Sequence, residues 1–385
     1  PSFDWSGKEV EVQLPVSLKK DQTYVVTIGN ELKDVRGSNR LEVPYTFAFS
    51  TGNIIDSGKI SGKVFAENFE RIKILAFQIS GKSEAMSDPS KNSADYVSQI
   101  SPDGNYVFTN LSKGEYRLFA VRDEDRNNLY DKAVDKISVL SGDIVLDRDS
   151  TEVDNANFLL RSIEADRSGK DFLKQLKADS INFISSNISN NEKNIPDNYK
   201  LYFYFKNLEA ITKEDVVNNF FIIDSSLNKS YRLVFNWIND SLLEVFSTEN
   251  YKAGSVINVL LDLSTTDKKY RYSRNFEISG SENSARISGR IISKETLLPP
   301  VNLKLIKKDN SFISYSKRLV DSVDFVFENI PEGDYLLFSY VDQNENGKFD
   351  EGNFFPFTPS EKFVIYENNL RIKGSWKIEN VFLEY

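Results

Sequence analysis

The chain of 385 residues contains no cysteine and no histidine. Without cysteine, no disulfide framework holds the fold, the redox compartment stays open, and no thiolate is available as nucleophile or metal ligand. Without histidine, the commonest general base near neutral pH and the commonest ligand of catalytic zinc are both missing. Most hydrolase mechanisms fall away, and a pair of carboxylates remains available for acid–base work. No apolar run approaches the roughly 18 residues that a membrane-spanning helix needs. No positively charged segment precedes an apolar one at the start, as a signal peptide requires. The 48 basic and 57 acidic residues are mixed throughout and leave a net charge of -9. No cationic stripe results, and nucleic acid is not an expected partner.

What is present is a phrase said twice. Residues 107–131, V-F-T-N-L-S-K-G-E-Y-R-L-F-A-V-R-D-E-D-R-N-N-L-Y-D, return ungapped as V-F-E-N-I-P-E-G-D-Y-L-L-F-S-Y-V-D-Q-N-E-N-G-K-F-D over 326–350. The identities include Phe108/Phe327, Asn110/Asn329, Gly114/Gly333, Tyr116/Tyr335, Phe119/Phe338 and Asp123/Asp342. A repeat at this spacing means duplicated modules rather than one large catalytic fold.

Periodicity points to strands nearly everywhere. Glu9 to Leu14 and Val301 to Leu305 alternate polar and apolar side chains, and Tyr45 to Phe49 alternates aromatic with small. Tyr24 to Ile28 and Leu201 to Phe205 are continuous β-branched or aromatic runs, the pattern of strands covered on both faces. Aromatics at 13% fit sheet cores. Two short helices are expected, at Lys170 to Lys177 and at Thr212 to Asn219, where Thr212 and Asp215 have capping-box spacing.

A weaker repeat orders the modules. Trp5 to Gly52 and Trp237 to Gly280 share a Trp-led strand, a Tyr-led β-branched strand and a Phe strand running into Ser and Gly. Each is followed by a matching start, I-S-G-K-V from Ile60 and I-S-G-R-I from Ile287. The expected fold class is all-β, four tandem β-sandwich modules in the order A, B, A, B: 1–53, 54–150, 151–281 and 282–385. The first A module is short and the chain opens at Pro1 rather than Met, so the natural protein is expected to extend upstream. An export signal or lipid anchor would lie there. The strand-like tail from Arg371 is expected to close the last module.

The string D-Q-T-Y-V-V-T-I-G-N-E-L-K-D-V-R-G followed by Y-T-F-A-F-S-T-G resembles the C-terminal half of the bacterial Ig-like domain of the S-layer-protein type. The string I-S-G-K-V with the repeated G-x-Y strand is similar to carboxypeptidase regulatory-like domains, which have a transthyretin-type sandwich. The resemblance covers nearly the whole chain except Asp171 to Leu227, which goes to the second Ig-like module by position. It implies Ig-like sandwiches alternating with transthyretin-like ones in an exported cell-envelope protein, often a lipoprotein, in the periplasm or at the outer-membrane surface. It implies no substrate and no catalytic residue.

One constellation resembles site chemistry. Asp342, Asn344, Asn346, Gly347 and Asp350 fall at loop positions one, three, five, six and nine of a calcium loop, with the Lys348 carbonyl at seven. The earlier copy keeps Asp123, Asp125, Asn127 and Asp131 but has Asn128 for the glycine, which makes it the weaker candidate. Position twelve, a bidentate Glu in an EF-hand, is Val134 or Asn353 here, so binding is weak unless a ligand comes from elsewhere, for instance Glu351 or Asp135. Weak Ca²⁺ binding, with a Kd of about 10⁻⁴ to 10⁻³ M, is the expectation. The bland reading of the same residues is a set of Asx-turns.

Carboxylate pairs such as Asp21 with Asp34, or Glu209 with Glu214 and Asp215, arise freely among 57 acids. Trp5, Trp237 and Trp376 lie in or beside strand-like runs and are expected to pack. The functional expectation is a non-enzymatic, exported rod of modules used in presentation or assembly, with protein or glycan partners at the envelope. The membrane would be reached only through an upstream anchor, and the sequence sets no oligomeric state. The alternative is a glycan-binding accessory protein for polysaccharide capture.

Overall fold

The computed structural model describes residues 2–7, 9–14, 17–29, 32–34, 39, 41, 44–163, 170–178, 184–206, 211–264, 269–280, 284–293 and 300–385. It is nearly all β, with 51% strand and 4% helix, arranged as tandem sandwiches. The chain divides into two compact units: Pro1–Arg161 with Phe349–Glu361, and Ser162–Lys348 with Lys362–Tyr385.

In the first unit, strands Ser2–Ser6 and Glu9–Gln13 form a two-stranded ribbon, and Thr23–Ile28 pairs with Tyr45–Ser50 in another. The ribbon residues are mostly exposed or half-buried. Tyr24 to Ile28 is therefore not covered on both faces as its composition suggests, since among the described residues its strand pairs with Tyr45–Ser50 alone. A sandwich follows. One sheet runs Lys136–Val139, Gly114–Arg122, Ile72–Gln78, Tyr96–Gln99, with Ile144–Leu146 also on the second of these. The other centres on Gly58–Phe65, which pairs antiparallel with Asn105–Leu111 and parallel with Glu152–Val153 and Phe158–Leu159. Ile60, Ile74, Tyr116, Leu118 and Phe158 meet in the core between the sheets. The module boundary expected at 150 thus moves past the 158–159 strand, since these residues close the first sandwich instead of opening the next.

In the second unit, two five-stranded sheets enclose Leu201, Phe203, Phe205, Phe220 and Tyr272. Leu201 to Phe205 is buried on both faces, as expected, because Tyr202 points into a second cluster with Phe172 and Leu242. The helix Lys213–Asn218 begins at Thr212, with the reciprocal Thr212–Asp215 capping box in place. The other helix is Lys170–Gln175. The last sandwich repeats the first: Ala285–Ile292 pairs antiparallel with Asp324–Ile330 and parallel with Lys377–Glu384.

The two repeats agree in detail. Tyr116 donates its hydroxyl to the Ser112 carbonyl at 2.7 Å, and Tyr335 donates to the Pro331 carbonyl at 2.9 Å. Asn110 and Asn329 share a left-handed φ of 60° and 56°, a conformation Asn tolerates well. So do Asn155, between the two short parallel strands that close the first sandwich, and Asn380, within the parallel closing strand of the last, at 61° and 60°. Immediately after these, the Ala156 and Val381 backbones press on Gly62 and Gly289, leaving no room for a Cβ at either.

Candidate functional site

In both repeats the Asp/Asn loop leaves the long central strand at its end. Asp123 follows Gly114–Arg122, and Asp342 follows Gly333–Val341. Both aspartates are buried, at 1% and 0% exposure. In the first loop, Asp123 accepts from the Asn127 backbone N–H at 3.1 Å and the Asn128 N–H at 3.0 Å. Asp125 accepts from the Asn127 side chain at 2.7 Å, and Asn127 from the Leu129 N–H at 2.6 Å. Asn128 takes the positive φ, 62°, that Gly347 takes in the later copy at 74°. The carboxylates of Asp123, Asp125 and Asp135 come within 4.8 Å of one another. Asp135 is thus the supplementary acid beside this loop, and it holds the loop's far end by accepting from the Asp131 N–H at 2.8 Å. Asp131 itself caps the Ala133 N–H at 2.8 Å.

The loop also carries its own cation. Lys73, on the neighbouring strand, donates to Asp123 at 2.8 Å and to the Asn128 side chain at 2.6 Å. Burial alone would raise the Asp123 pKa, but the Lys73 ammonium and the Asn128 N–H together hold it below the usual carboxylate value.

In the second loop, Asp342 accepts from Asn302 at 2.7 Å, Arg318 at 3.2 Å and the Gly347 N–H at 3.0 Å, all on Oδ2. Its other oxygen, Oδ1, is buried with no hydrogen-bond partner. Asn344 caps the Asn346 N–H at 3.1 Å, and Asn346 caps the Lys348 N–H at 2.7 Å. Tyr340 donates to the Gly347 carbonyl at 2.8 Å. Asp350 lies in the segment Phe349–Glu361 that belongs to the first unit, where its N–H donates to Glu361 at 3.1 Å and its carbonyl accepts the Glu361 N–H at 2.9 Å. Asp135 makes the same pair of bonds with Asp131. Glu361, not Glu351, is therefore the counterpart of Asp135, displaced by the hairpin Asn353–Phe354 and Phe357–Thr358.

Lys73, Asn302, Arg318 and Glu361 were not legible as site residues, since three of them come from paired strands distant in sequence. Register was the only signal. Lys73 lies opposite Val121 and Gln99, while Asn302 lies opposite Tyr340 and Arg318.

The remaining candidates are structural. Asp215 is spent on the helix cap, Asp34 accepts from Asn39 at 2.9 Å, Asp21 sits exposed in a turn, and Glu209 lies outside the described residues. Trp237 packs on Phe205 at 5.8 Å, with the Lys213 ammonium 5.0 Å from its ring. Trp5 and Trp376 do not pack as expected, being 62% and 47% exposed. The ribbon that carries Trp5 is exposed along its whole length, and Trp376 falls in a turn whose N–H bonds to the Lys373 carbonyl at 3.2 Å. Among the described residues no helix is long and apolar enough to cross a membrane.

Comparison with known proteins finds no curated protein that matches the chain. Among solved structures, the L,D-transpeptidase LdtMt1 in complex with imipenem is similar over 40% of this chain and 78% of its own, at 11% identity and a TM-score of 0.21. BcpA, the major pilin subunit of Bacillus cereus, is similar over 85% and 100%, at 10% identity and a TM-score of 0.16. The T6 backbone pilin of serotype M6 Streptococcus pyogenes is similar over 80% of both chains, at 9% identity and a TM-score of 0.17. Residues 1–51 match the family described as bacterial Ig-like domain.

Proposed function

We propose that this is a non-catalytic, modular protein of the bacterial cell surface, exported and used in presentation or assembly, whose repeated Asp/Asn loops bind Ca²⁺ weakly and stiffen the ends of its transthyretin-like modules. The observation that carries the calcium reading is the approach of Asp123, Asp125 and Asp135 within 4.8 Å, at the end of the strand Gly114–Arg122. Three carboxylates this close repel one another, and a divalent cation relieves that repulsion. Asn127 and Asp131 complete the first loop. In the second, Asp342, Asn344, Asn346, the Lys348 carbonyl and Asp350 are the candidate ligands, and the unpartnered Oδ1 of Asp342 favours a cation. The resident Lys73 and Arg318 compete with the metal, which fits weak binding. The Ig-like match over 1–51 supports the surface setting and the non-catalytic role.

The test is thermal melting of the full chain. Millimolar Ca²⁺ should raise Tm, EDTA should reverse the rise, and Asp123→Ala with Asp342→Ala should abolish it. At ten times Kd the linkage amounts to about 1.4 kcal/mol. Melting that ignores Ca²⁺ in the unaltered protein would leave both loops as Asx-turns.

A further inference from the structure

Within the second unit, a cavity of about 370 Å³ opens between the outward face of strands Val301–Lys307 and Ser314–Leu319 and the turn that leads into strand Leu201–Phe205. The antiparallel register sets Lys304 opposite Ser316 and Ile306 opposite Ser314. Because side chains alternate along a strand, these four share one face, while Leu303, Leu305 and Tyr315 fill the core behind it. Asn198 and Lys200 come from the turn. Phe172, Tyr202 and Phe312 close the apolar end, with ring centroids 5.0 to 5.6 Å apart.

The charge of this lining opposes that of the molecule. In a chain of net charge -9, the charged side chains among the described lining residues are two lysines, Lys200 and Lys304. The Lys200 ammonium is shared with Glu244 at 3.2 Å, and that of Lys304 stands 5.6 Å from the Tyr340 ring. Burial pushes the Lys304 pKa down, the mark of a desolvated ammonium, which gains more from an incoming anion than a solvated one does. The hydroxyls of Ser314 and Ser316 and the amide of Asn198 have no protein partner among the described residues.

We propose that this cavity binds a carboxylate-bearing sugar, a uronic acid unit of an acidic polysaccharide. Lys304 pairs with the carboxylate, Ser314, Ser316 and Asn198 bond the ring hydroxyls, and the Phe172–Phe312 wall covers the apolar face of the ring. The volume lies at the small end of ligand pockets and suits one or two sugar rings.

The test is titration of the isotopically labelled full chain with digalacturonate, followed through backbone amide signals. Saturable shifts at Lys200, Lys304, Ser314 and Ser316 are expected, with a Kd on the order of 1 mM, and the neutral disaccharide should give none. Lys304→Gln should weaken binding at least about tenfold, the loss of one charge-assisted hydrogen bond. Ser316→Asp, at an exposed position, should weaken it too by setting a second carboxylate at the rim, and it serves if the lysine variant folds poorly. Equal binding of the neutral sugar, no response to digalacturonate, or unchanged affinity in a folded variant would overturn the proposal. An equal response to acetate alone would also overturn it, by reducing the cavity to a simple anion site.

Discussion

The two Asp/Asn loops solve one electrostatic problem with the cation on different strands. In the first repeat the buried Asp123 meets Lys73, and the residue opposite Lys73 on the edge strand is the neutral Gln99. In the second the matching positions are exchanged: Asn302 donates to Asp342, and the cation is Arg318 on the edge strand. A carboxylate this buried is costly without a counter-charge, so what is retained is one cation per aspartate, not a residue type at a position. The loops differ in length as well. The first returns to the sheet at Asp135, whereas the second carries the segment 349–361, which packs on the first unit. There Phe354 meets Tyr130 at 4.8 Å, and Phe357 meets Phe119 at 6.3 Å and the Arg117 guanidinium at 3.8 Å. The outer sheet face of the first repeat is thereby roofed by a hairpin donated from the second copy's loop.

The strongest way to break this comparison is at that roof. Phe119 is fully buried between Phe77 and Phe357, so Phe119→Ala should destabilise the first unit by about 3–5 kcal/mol. Phe357→Ala, at a half-buried ring, should cost less and act on the same unit. Hydrogen exchange resolved by peptide checks both, because protection should fall across Leu75, Phe119 and Val139. Uniform loss across the whole chain would show that the roof is not specific to the first repeat.

Next in size is a test of what the repeats share. A methyl at Gly62 or Gly289 would overlap the carbonyl oxygen of Ala156 or Val381, and neither backbone can retreat without breaking the parallel pairing. Gly62→Ala and Gly289→Ala should each cost about 2–3 kcal/mol, read by calorimetry as a loss in the unit that carries the change. Unequal losses would show that one closing strand is held less firmly than the other.

How much of this could be read from sequence depended on whether the signal was local. The strands, the Thr212–Asp215 capping box and the spacing of Asp123, Asp125 and Asn127 are encoded within a few residues, and they were legible. The closing strand of the first sandwich was not. T-E-V-D-N-A-N-F-L-L is interrupted by Asn155 in a left-handed conformation, which breaks the alternation that marks a strand. Its later counterpart, K-I-E-N-V-F-L-E, forms one unbroken strand across the same kind of kink at Asn380. The exposure of Trp5 and the half-exposure of Tyr24 to Ile28 depend on what lies over the ribbons, which alternation does not record. The cations beside Asp123 and Asp342 required cross-strand register, a non-local property. Glu361 was hidden because the intervening hairpin shifts it away from the position that Asp135 occupies in the shorter loop.

The smallest expected effect bears on the cation exchange itself. Because the folded pKa of Asp123 is depressed, its contribution to stability is fully present above the unfolded value near about 3.9 and is lost as pH falls through the lower folded value. Lys73→Met removes the ammonium while keeping an unbranched stem, and leaves a carboxylate at 1% exposure held by the Asn127 and Asn128 N–H groups, with the Asp125 and Asp135 carboxylates beside it. With the Lys73 hydrogen bond and charge gone, the desolvation of this buried group, its largest influence, is expected to dominate and lift the folded pKa above the unfolded one. The sign of the linkage reverses: the variant loses stability as pH rises from about 4 toward 7, where it should lie about 1–2 kcal/mol below the parent. Adding Gln99→Lys, which places the cation as the second repeat does with Arg318, should restore the parent's slope between pH 3 and 6. Denaturant unfolding of the first unit across that range decides the matter. A parent-like slope in Lys73→Met alone would mean that the loop's N–H groups suffice for Asp123, and that the lysine is a surface contact and not the counterpart of Arg318.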